Sequence, residues 1–475
     1  MTRMHQTQLR FEPLILDYFA GGGGASEGIR SALGRCPDVA INHDLAAITM
    51  HATNHPDTLH LRENVWDVDP RRDLPPGPVT AAWFSPSCTH FSRARGSKPL
   101  SKQLRCLPWV AARLAKHRRP DVVFLENVAE MMSWGPIDAR GRALPGKSGE
   151  TWRRFLRRFR ALGYVVEHRV LDAADYGAPT HRKRLVMIAR RDGLPILWPE
   201  PTHGPGRPMP YRTAAECIDW TIPCPSIFDR DKPLVPATQR RIARGVQRFI
   251  LDAKRPFLID MPDGKAAAFF AQKGQGERAG QAPRIRSVER PYSTIVAGGN
   301  KQWLVAAFLA KHNGGTIGQS VTEPTHTITA KDTKRAVAVL LTKYYATGSG
   351  ASVAEPLHTQ TTRARFGLVA AFLTKFYGTS TGASVEAPAP TITGQGGHLG
   401  VVTVRIDGED YAIADIGMRM LSPRELARCQ GFPDSYVLTG TQGQQIERIG
   451  NSVSPPMARA VVAANVGARK KERAA

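Results

Sequence analysis

No two of the six cysteines, Cys36, Cys88, Cys106, Cys217, Cys224 and Cys429, form a Cys-x-x-Cys pair. Neither a thiolate zinc site nor a small disulfide framework is suggested, and no metal site is read from the sequence. Long apolar runs are missing too: none approaches the roughly 18 residues that would span a bilayer, so no membrane partner is expected. The opening MTRMHQTQLRFEPLILDYFAGGGG lacks the apolar stretch and small-residue cleavage site of a secretory signal. A reducing cytoplasm is the default expectation, and Cys88 would be a free thiol there. Acidic residues are few: 41 Asp and Glu face 65 Lys and Arg, a formal charge of +24. Self-repulsion on that scale is usually tolerated only beside a polyanion. Nucleic acid leads the candidates, because each Lys or Arg on a phosphate releases a counterion.

What is present is organised in three parts, residues 1–200, 201–404 and 405–475. The first alternates short apolar runs with helical patterns. The runs are Pro13 to Asp17, Val39 to Ile41, Thr80 to Phe84, Asp121 to Leu125 and Arg184 to Ile188. Strands spaced by helices predict an α/β fold built on a parallel, doubly wound sheet, with the ligand site at the carboxyl ends of the strands. Ser26 to Leu33 reads as a helix. So does Trp152 to Gly163, whose Arg153, Arg154, Arg157, Arg158 and Arg160 are taken as a solvated face rather than a DNA contact.

From about Pro199 the alternation fades and a repeat emerges. Copies begin at Val305, Val337 and Val369, a period of 32 residues each time. Each copy offers an apolar strand ending in Lys311, Lys343 or Lys375, followed by a Gly-rich loop and a Thr-x-Thr strand. A stacked strand–loop–strand unit predicts a mostly β module with its repeats in 305–400. The recurring lysines suit a surface laid along a duplex; the alternative is a repeat that builds only a scaffold. Helical patterning is expected to return after Val404, with Ser422 as an N-cap ahead of Pro423 and one helix over Ile446 to Ala468.

Four short segments carry chemistry. Asp17-Tyr18-Phe19-Ala20-Gly21-Gly22-Gly23-Gly24 lies where the first strand turns into the first helix, where glycine lets backbone approach a ligand. It lacks GxGxxG spacing and a following lysine, so the ligand need not bear phosphate. Ser85-Pro86-Ser87-Cys88-Thr89-His90-Phe91-Ser92 follows the strand ending at Phe84 and carries a cysteine to the same sheet edge. Glu126-Asn127-Val128 brings a carboxylate there, and Thr180-His181-Arg182-Lys183-Arg184 opens another strand. Taken singly each has a bland reading: a tight turn, a small buried hydrophobe, a cap, a basic turn.

The order DYFAGGGG, SPSCTHFS, ENV, THRKRL, LSPRELARCQGFPDSY and IGNSVSPP resembles the ordered motifs of the cytosine-C5 DNA methyltransferases. The wider run, including DYGAPTHRKRL and WPEPTHG, is similar to the branch found in phage and bacterial genomes. The resemblance covers the first ~190 and last ~60 residues, bracketing the variable segment. It implies a Rossmann-like class I S-adenosylmethionine-dependent methyltransferase domain with a mostly β target-recognition domain containing the 32-residue repeats. S-adenosylmethionine would lie against Asp17, Phe19, Gly21 and Gly23. Asn42 and His43 stand where the family has a ribose-binding glutamate and an adenine-stacking aromatic, so ribose recognition departs from the pattern. Asp67 matches the aspartate that accepts from the adenine amino group, and Asn451 the asparagine that orders the catalytic region.

The family's nucleophile normally lies in Pro-Cys-Gln. Here Ser87 separates Pro86 from Cys88 and Thr89 replaces Gln, while Phe91-Ser92 keeps register, so Cys88 is retained as nucleophile and Ser92 as a DNA contact. The resemblance gives Glu126 the cytosine N3 edge, Arg184 the O2 edge, and Arg182 a positive potential favouring the thiolate. Arg424 and Glu425 would brace the recognition domain. Lys311, Lys343 and Lys375 would meet double-stranded DNA. A monomer is expected, and no restriction nuclease is physically required whether or not one accompanies it. Two other functions remain open at this stage: transfer-RNA cytosine methylation, against which the ~200-residue insert argues, and a catalytically dead DNA-binding relative.

Overall fold

The computed structural model describes residues 13–91, 100–228, 230, 232, 234–261, 264–272, 284–295, 302–311 and 409–467, together with the short segments 340–343, 351–352, 366–369, 373–375, 399–401 and 403–406. The chain divides into two compact units. The first comprises residues 1–219, 289–300 and 421–475, the second 220–288 and 301–420.

The first unit is mixed α/β. Its strands are β1 (Leu14–Tyr18), β2 (Val39–Ile41), β3 (Leu59–Leu61), β4 (Val79–Phe84), β5 (Val122–Asn127), β6 (Val165–Asp172), β7 (Thr180–His181) and β8 (Lys183–Arg190). Seven of them form one sheet in the order β3-β2-β1-β4-β5-β8-β6. The apolar runs read as strands all lie in it. Strands β1 to β5 pair in parallel, as expected. Strand β8 does not: it runs antiparallel to both β5 and β6. Between Asp172 and Lys183 the chain makes only one 3-10 turn, Ala173–Tyr176, and β7. A parallel return needs a crossover of about a dozen residues or more, so the chain doubles back.

Strand periodicity sorts side chains onto two faces. Leu14, Leu16 and Tyr18 enter one core with α4 (Trp109–His117) and α5 (Glu150–Ala161), where Tyr18 stacks on Phe84 at 4.7 Å. Ile15 enters the other with α1 (Gly24–Leu33) and α9 (Pro455–Val462), where Trp83 lies 5.4 Å from Phe124. Between α1 and α4 the chain forms α2 (Leu45–Asn54) and a short α3 (Lys102–Cys106). Strand β6 escaped the sequence reading because Glu167, His168 and Arg169 interrupt its apolar pattern at the edge of the sheet.

The expected C-terminal helix over 446–468 is instead two. Helix α8 (Gln442–Asn451) stops at Ser452, and α9 restarts after Ser454 on Pro455-Pro456. Proline lacks the N–H that helix continuation needs but suits a first turn. Helix α7 (Pro423–Gln430) has the expected Ser422 cap, completed as a capping box by Glu425. Glu425 also accepts from the Asp219 amide at 2.9 Å, and Arg424 donates to the Tyr436 carbonyl at 2.8 Å. Both contacts brace the first unit itself.

The second unit is largely antiparallel. Its main sheet joins Ile285–Ser287, Gly264–Gln272, Gln302–Lys311, Glu409–Met420 and Thr403–Ile406 in that order, with Leu258–Met261 beside Gly264–Gln272. Strand structure thus continues to Met420, where helix was expected from Val404. Helix α6 (Pro236–Val246), not anticipated either, places Ile242 and Val246 on Phe269 and Val305. Among the described residues, no helix is long and apolar enough to cross a membrane, and no cluster of His, Cys, Asp and Glu could hold a metal ion.

Candidate active site

The site grows from the carboxyl edge of the parallel strands. The Ala20 amide donates to the Ile41 carbonyl at 3.1 Å, and the Asn42 amide to the Leu61 carbonyl at 3.2 Å. The turns after β1, β2 and β3 therefore lie side by side. Next to them come the Cys88 loop after β4 and Glu126, the next-to-last residue of β5. Arg184 joins them because β8 is antiparallel: Leu185 lies opposite Asn127, so the start of β8 sits at the end of β5. A parallel β8 would have carried Arg184 to the opposite edge.

The Arg184 Nε lies 3.1 Å from Glu126 Oε1, with the side chains only 11% and 8% exposed. A pair this buried holds together because neither charge has water to return to. Arg184 also donates to the Lys183 carbonyl at 2.8 Å. The Cys88 loop is pinned on several sides. Asn127 Nδ2 donates to the Pro86 carbonyl at 2.8 Å, the Phe91 amide to the Cys88 carbonyl at 2.9 Å, and Trp83 Nε1 to Ser85 Oγ at 2.8 Å. Asn127 is a positioning residue that sequence reasoning passed over, although it directly follows Glu126.

Burial pushes the half-buried Cys88 thiol up; Arg184 pulls against it, Glu126 adds to it, and Arg182 offsets it less than Arg184 does. Arg182 is thus not the main source of positive potential at the thiol. Its guanidinium, fully buried, donates to the carbonyls of Ile295 (2.9 Å), Gly450 (3.1 Å) and Ser452 (2.9 Å). Burial beside Arg184 pushes it down to about 9, still cationic at neutral pH. Arg182 fastens two distant chain segments behind the site. Because the thiolate is the reactive form, Cys88 alkylation by iodoacetamide should be slow at pH 7.5 and rise about tenfold per pH unit to beyond pH 9. Arg184→Gln should move that profile further up, which peptide mapping of the labelled site will report; an unshifted profile would remove Arg184 as the balancing charge.

The cofactor candidates separate. Phe19, held at φ 63, is half-buried at the end of β1, and Gly21, at φ 52, is partly open. A Cβ at Gly21 would meet nothing nearer than the Phe19 carbonyl at 3.6 Å. Gly23 and Gly24 are closely packed. A Cβ on Gly23, itself at φ 81, would strike the Tyr436 hydroxyl, and one on Gly24 the Val453 carbonyl. These glycines leave room for the C-terminal segment. Asp17 points to the α1 face and is fully buried, accepting from Ser26 Oγ at 2.6 Å; burial raises it to about 7. Ser26 Oγ in turn meets His51 Nε2 at 2.8 Å, and His51 Nδ1 meets His60 Nε2 at 2.8 Å. Asp17 thus belongs to an interior polar chain that no sequence motif announced.

Asn42 Oδ1 accepts from the Asp44 amide at 2.9 Å and His43 is exposed. Asp44 caps α2 and pairs with Arg448 of α8. Asp67 is exposed in the turn after β3. Asn451, the last residue of α8, is exposed, while its neighbour Ser452 is buried and bonded to Arg182 and Gln430. Lys311, Lys343 and Lys375 are each the last residue of a strand, Gln302–Lys311, Leu340–Lys343 and Leu373–Lys375. Ser92 and most of each repeat lie outside the described residues.

A mainly parallel sheet with a thiol, a buried carboxylate and its arginine at one edge gives the architecture of an α/β enzyme of the Rossmann-like class. The model of the C-5 cytosine-specific DNA methylases matches residues 14–218 and 312–466, and the chain belongs to that methyltransferase family. It is 26% identical over 456 residues to the Type II methyltransferase M.AgeI of Thalassovita gelatinovora, covering 94% of this chain and 97% of that one. It is 27% identical over 228 residues to M.AquIA of a Picosynechococcus strain, covering 45% of this chain and 90% of that one. Among solved structures it is similar to S. pombe Dnmt2 methyltransferase, with TM-score 0.48, 11% identity and 96% and 99% of the two chains covered.

Proposed function

We propose that this protein transfers the methyl group of S-adenosylmethionine to carbon 5 of a flipped cytosine in a specific duplex DNA sequence, through a covalent Cys88 adduct. The observation that carries the reading is the meeting of the Cys88 loop with the buried Glu126–Arg184 pair at the carboxyl edge of the sheet. A stacked cytosine hides carbon 6, so the base must leave the duplex to reach that edge. The Cys88 thiolate then adds to carbon 6, and the electron pair displaced from the ring makes carbon 5 nucleophilic. Glu126 faces the ring N3 edge and supports the charge that addition creates, while Arg184 holds Glu126 and serves the O2 edge. After methyl transfer, loss of the carbon-5 proton to water re-forms the ring double bond and expels the Cys88 thiolate.

The cofactor supplies an electrophilic methyl on a sulfonium sulfur. The chain fits such a group at the turns after β1, β2 and β3. Phe19 offers an aromatic face, Gly21 an open backbone rim, His43 and Asp67 accessible polar positions. The strand-terminal Lys311, Lys343 and Lys375 of the second unit are assigned to the DNA backbone of a target-recognition domain, and the enzyme is read as a monomer acting on DNA in the cytoplasm. Changing all three lysines to Gln should make the salt dependence of duplex binding shallower by up to about 2.7 in log–log slope, at 0.9 per phosphate. An unaltered slope would leave the repeats as scaffold.

Bisulfite sequencing of plasmid DNA from cells expressing the gene tests the activity directly. Protection of cytosine at one recurring sequence is expected. Unmodified plasmid, with methyl transfer to transfer RNA instead, would reassign the substrate.

A further inference from the structure

A cavity of about 790 Å3 lies in the first unit between α3, α4 and α5, lined by Lys102, Trp109, Trp134, Arg154, Arg157 and Arg158 among others. Helix α5 delivers three of its arginines together because positions i, i+3 and i+4 share a face. Those arginines and Lys102 are exposed. Among the described residues no carboxylate pairs with any of the four, and two acids nearby are already engaged: Glu150 with Lys147 and Asp138 with Arg142. The sequence alone treats this stripe as a solvated face. A solvated face does not account for like charges drawn around one concavity with an indole in its wall. Trp109 is half-buried, and Phe155 meets it edge-on at 5.2 Å, which fixes the ring.

The cavity is tied to the nucleophile's loop. Arg105, buried in its lining, donates to the His90 carbonyl at 2.9 Å and to the Gly135 carbonyl at 3.1 Å, and lies 4.9 Å over the Phe91 ring. His90 and Phe91 directly follow the Cys88-Thr89 turn, so one guanidinium joins the cavity to the reacting loop.

We propose that this cavity seats the sugar-phosphate backbone of duplex DNA flanking the target cytosine, with phosphates on Lys102, Arg154, Arg157 and Arg158 and a deoxyribose against Trp109. This rests on the reading of the chain as a DNA cytosine methyltransferase. A small anion would satisfy one or two of these cations. A polyanion satisfies four at once and gains from counterion release. Trp109 supplies the apolar contact that a sugar accepts and a bare phosphate does not.

Equilibrium binding of the full chain to a duplex carrying its target sequence, measured from 50 to 200 mM salt, tests the proposal. R154Q/R157Q/R158Q should flatten the log–log slope by up to about 2.7, at 0.9 per phosphate, while R154K/R157K/R158K keeps the wild-type slope. Unchanged S-adenosylhomocysteine affinity certifies that both variants fold. A wild-type slope in the glutamine variant overturns the proposal, as does a slope change confined to transfer RNA. If the wild-type protein binds no duplex at all, the DNA methyltransferase reading fails and this inference falls with it. That result differs from a wild type that binds duplex and a glutamine variant that is indistinguishable from it.

Discussion

Replacing Cys88 by Ala is expected to lower methyl transfer by at least about 10^4-fold, the scale on which removing a covalent nucleophile acts. Cofactor affinity should stay near wild type, because the Cys88 loop follows β4 while the turns proposed to hold the cofactor follow β1, β2 and β3. The loop itself should survive the change. Its fastenings run through the Pro86 carbonyl, the Cys88 carbonyl and Ser85 Oγ, none of which needs the thiol. The decisive reagent is duplex DNA in which the target is 5-fluorocytosine. Carbon 5 then carries no removable proton, so the adduct cannot be resolved and should stay attached to Cys88 in a donor-dependent manner. Turnover retained by Cys88→Ala, or an adduct mapped to another cysteine, would relocate the nucleophile.

Arg184→Ala should cost about 3–5 kcal/mol of stability, because it strands the Glu126 carboxylate in the interior without its partner. Removing both charges together, as Glu126→Gln with Arg184→Met, should restore most of that stability, since a buried ion pair exchanged for neutral side chains of similar volume is often close to neutral. Activity should not return. Glu126→Gln alone is expected to lower kcat by about 10^2- to 10^4-fold, the range of a general acid–base group. Thermal unfolding and single-turnover rates on the wild type and these three variants separate the two roles. Equal losses of stability in the single and double variants would mean that the pair does not act as a unit, and full activity in the double variant would remove Glu126 from the chemistry.

The legible part of this protein was local. Leu14 to Asp17, Val39 to Ile41, Thr80 to Phe84 and Asp121 to Leu125 announce their strands because both faces of the sheet are covered, so each strand is apolar throughout. The Ser422 cap was legible for the same kind of reason: side chain and amide lie three residues apart. The interior chain from Asp17 through Ser26 and His51 to His60 was not legible, since its members come from β1, α1, α2 and β3 and each is unremarkable alone. Nor was the service performed by Gly23 and Gly24, whose neighbours Tyr436 and Val453 stand more than 400 positions away.

Sequence by itself determined which residue types stand at the ends of the strands, because a short apolar run, a turn and a helix are set by neighbours along the chain. The direction of β8 was left to the tertiary structure. Ten residues between Asp172 and Lys183 cannot cross the sheet, and the resulting antiparallel strand sets Arg184 against Glu126. The division of labour between the two arginines was decided there as well. Arg182, two residues earlier, is consumed by the carbonyls of Ile295, Gly450 and Ser452, which no local pattern could bring to it.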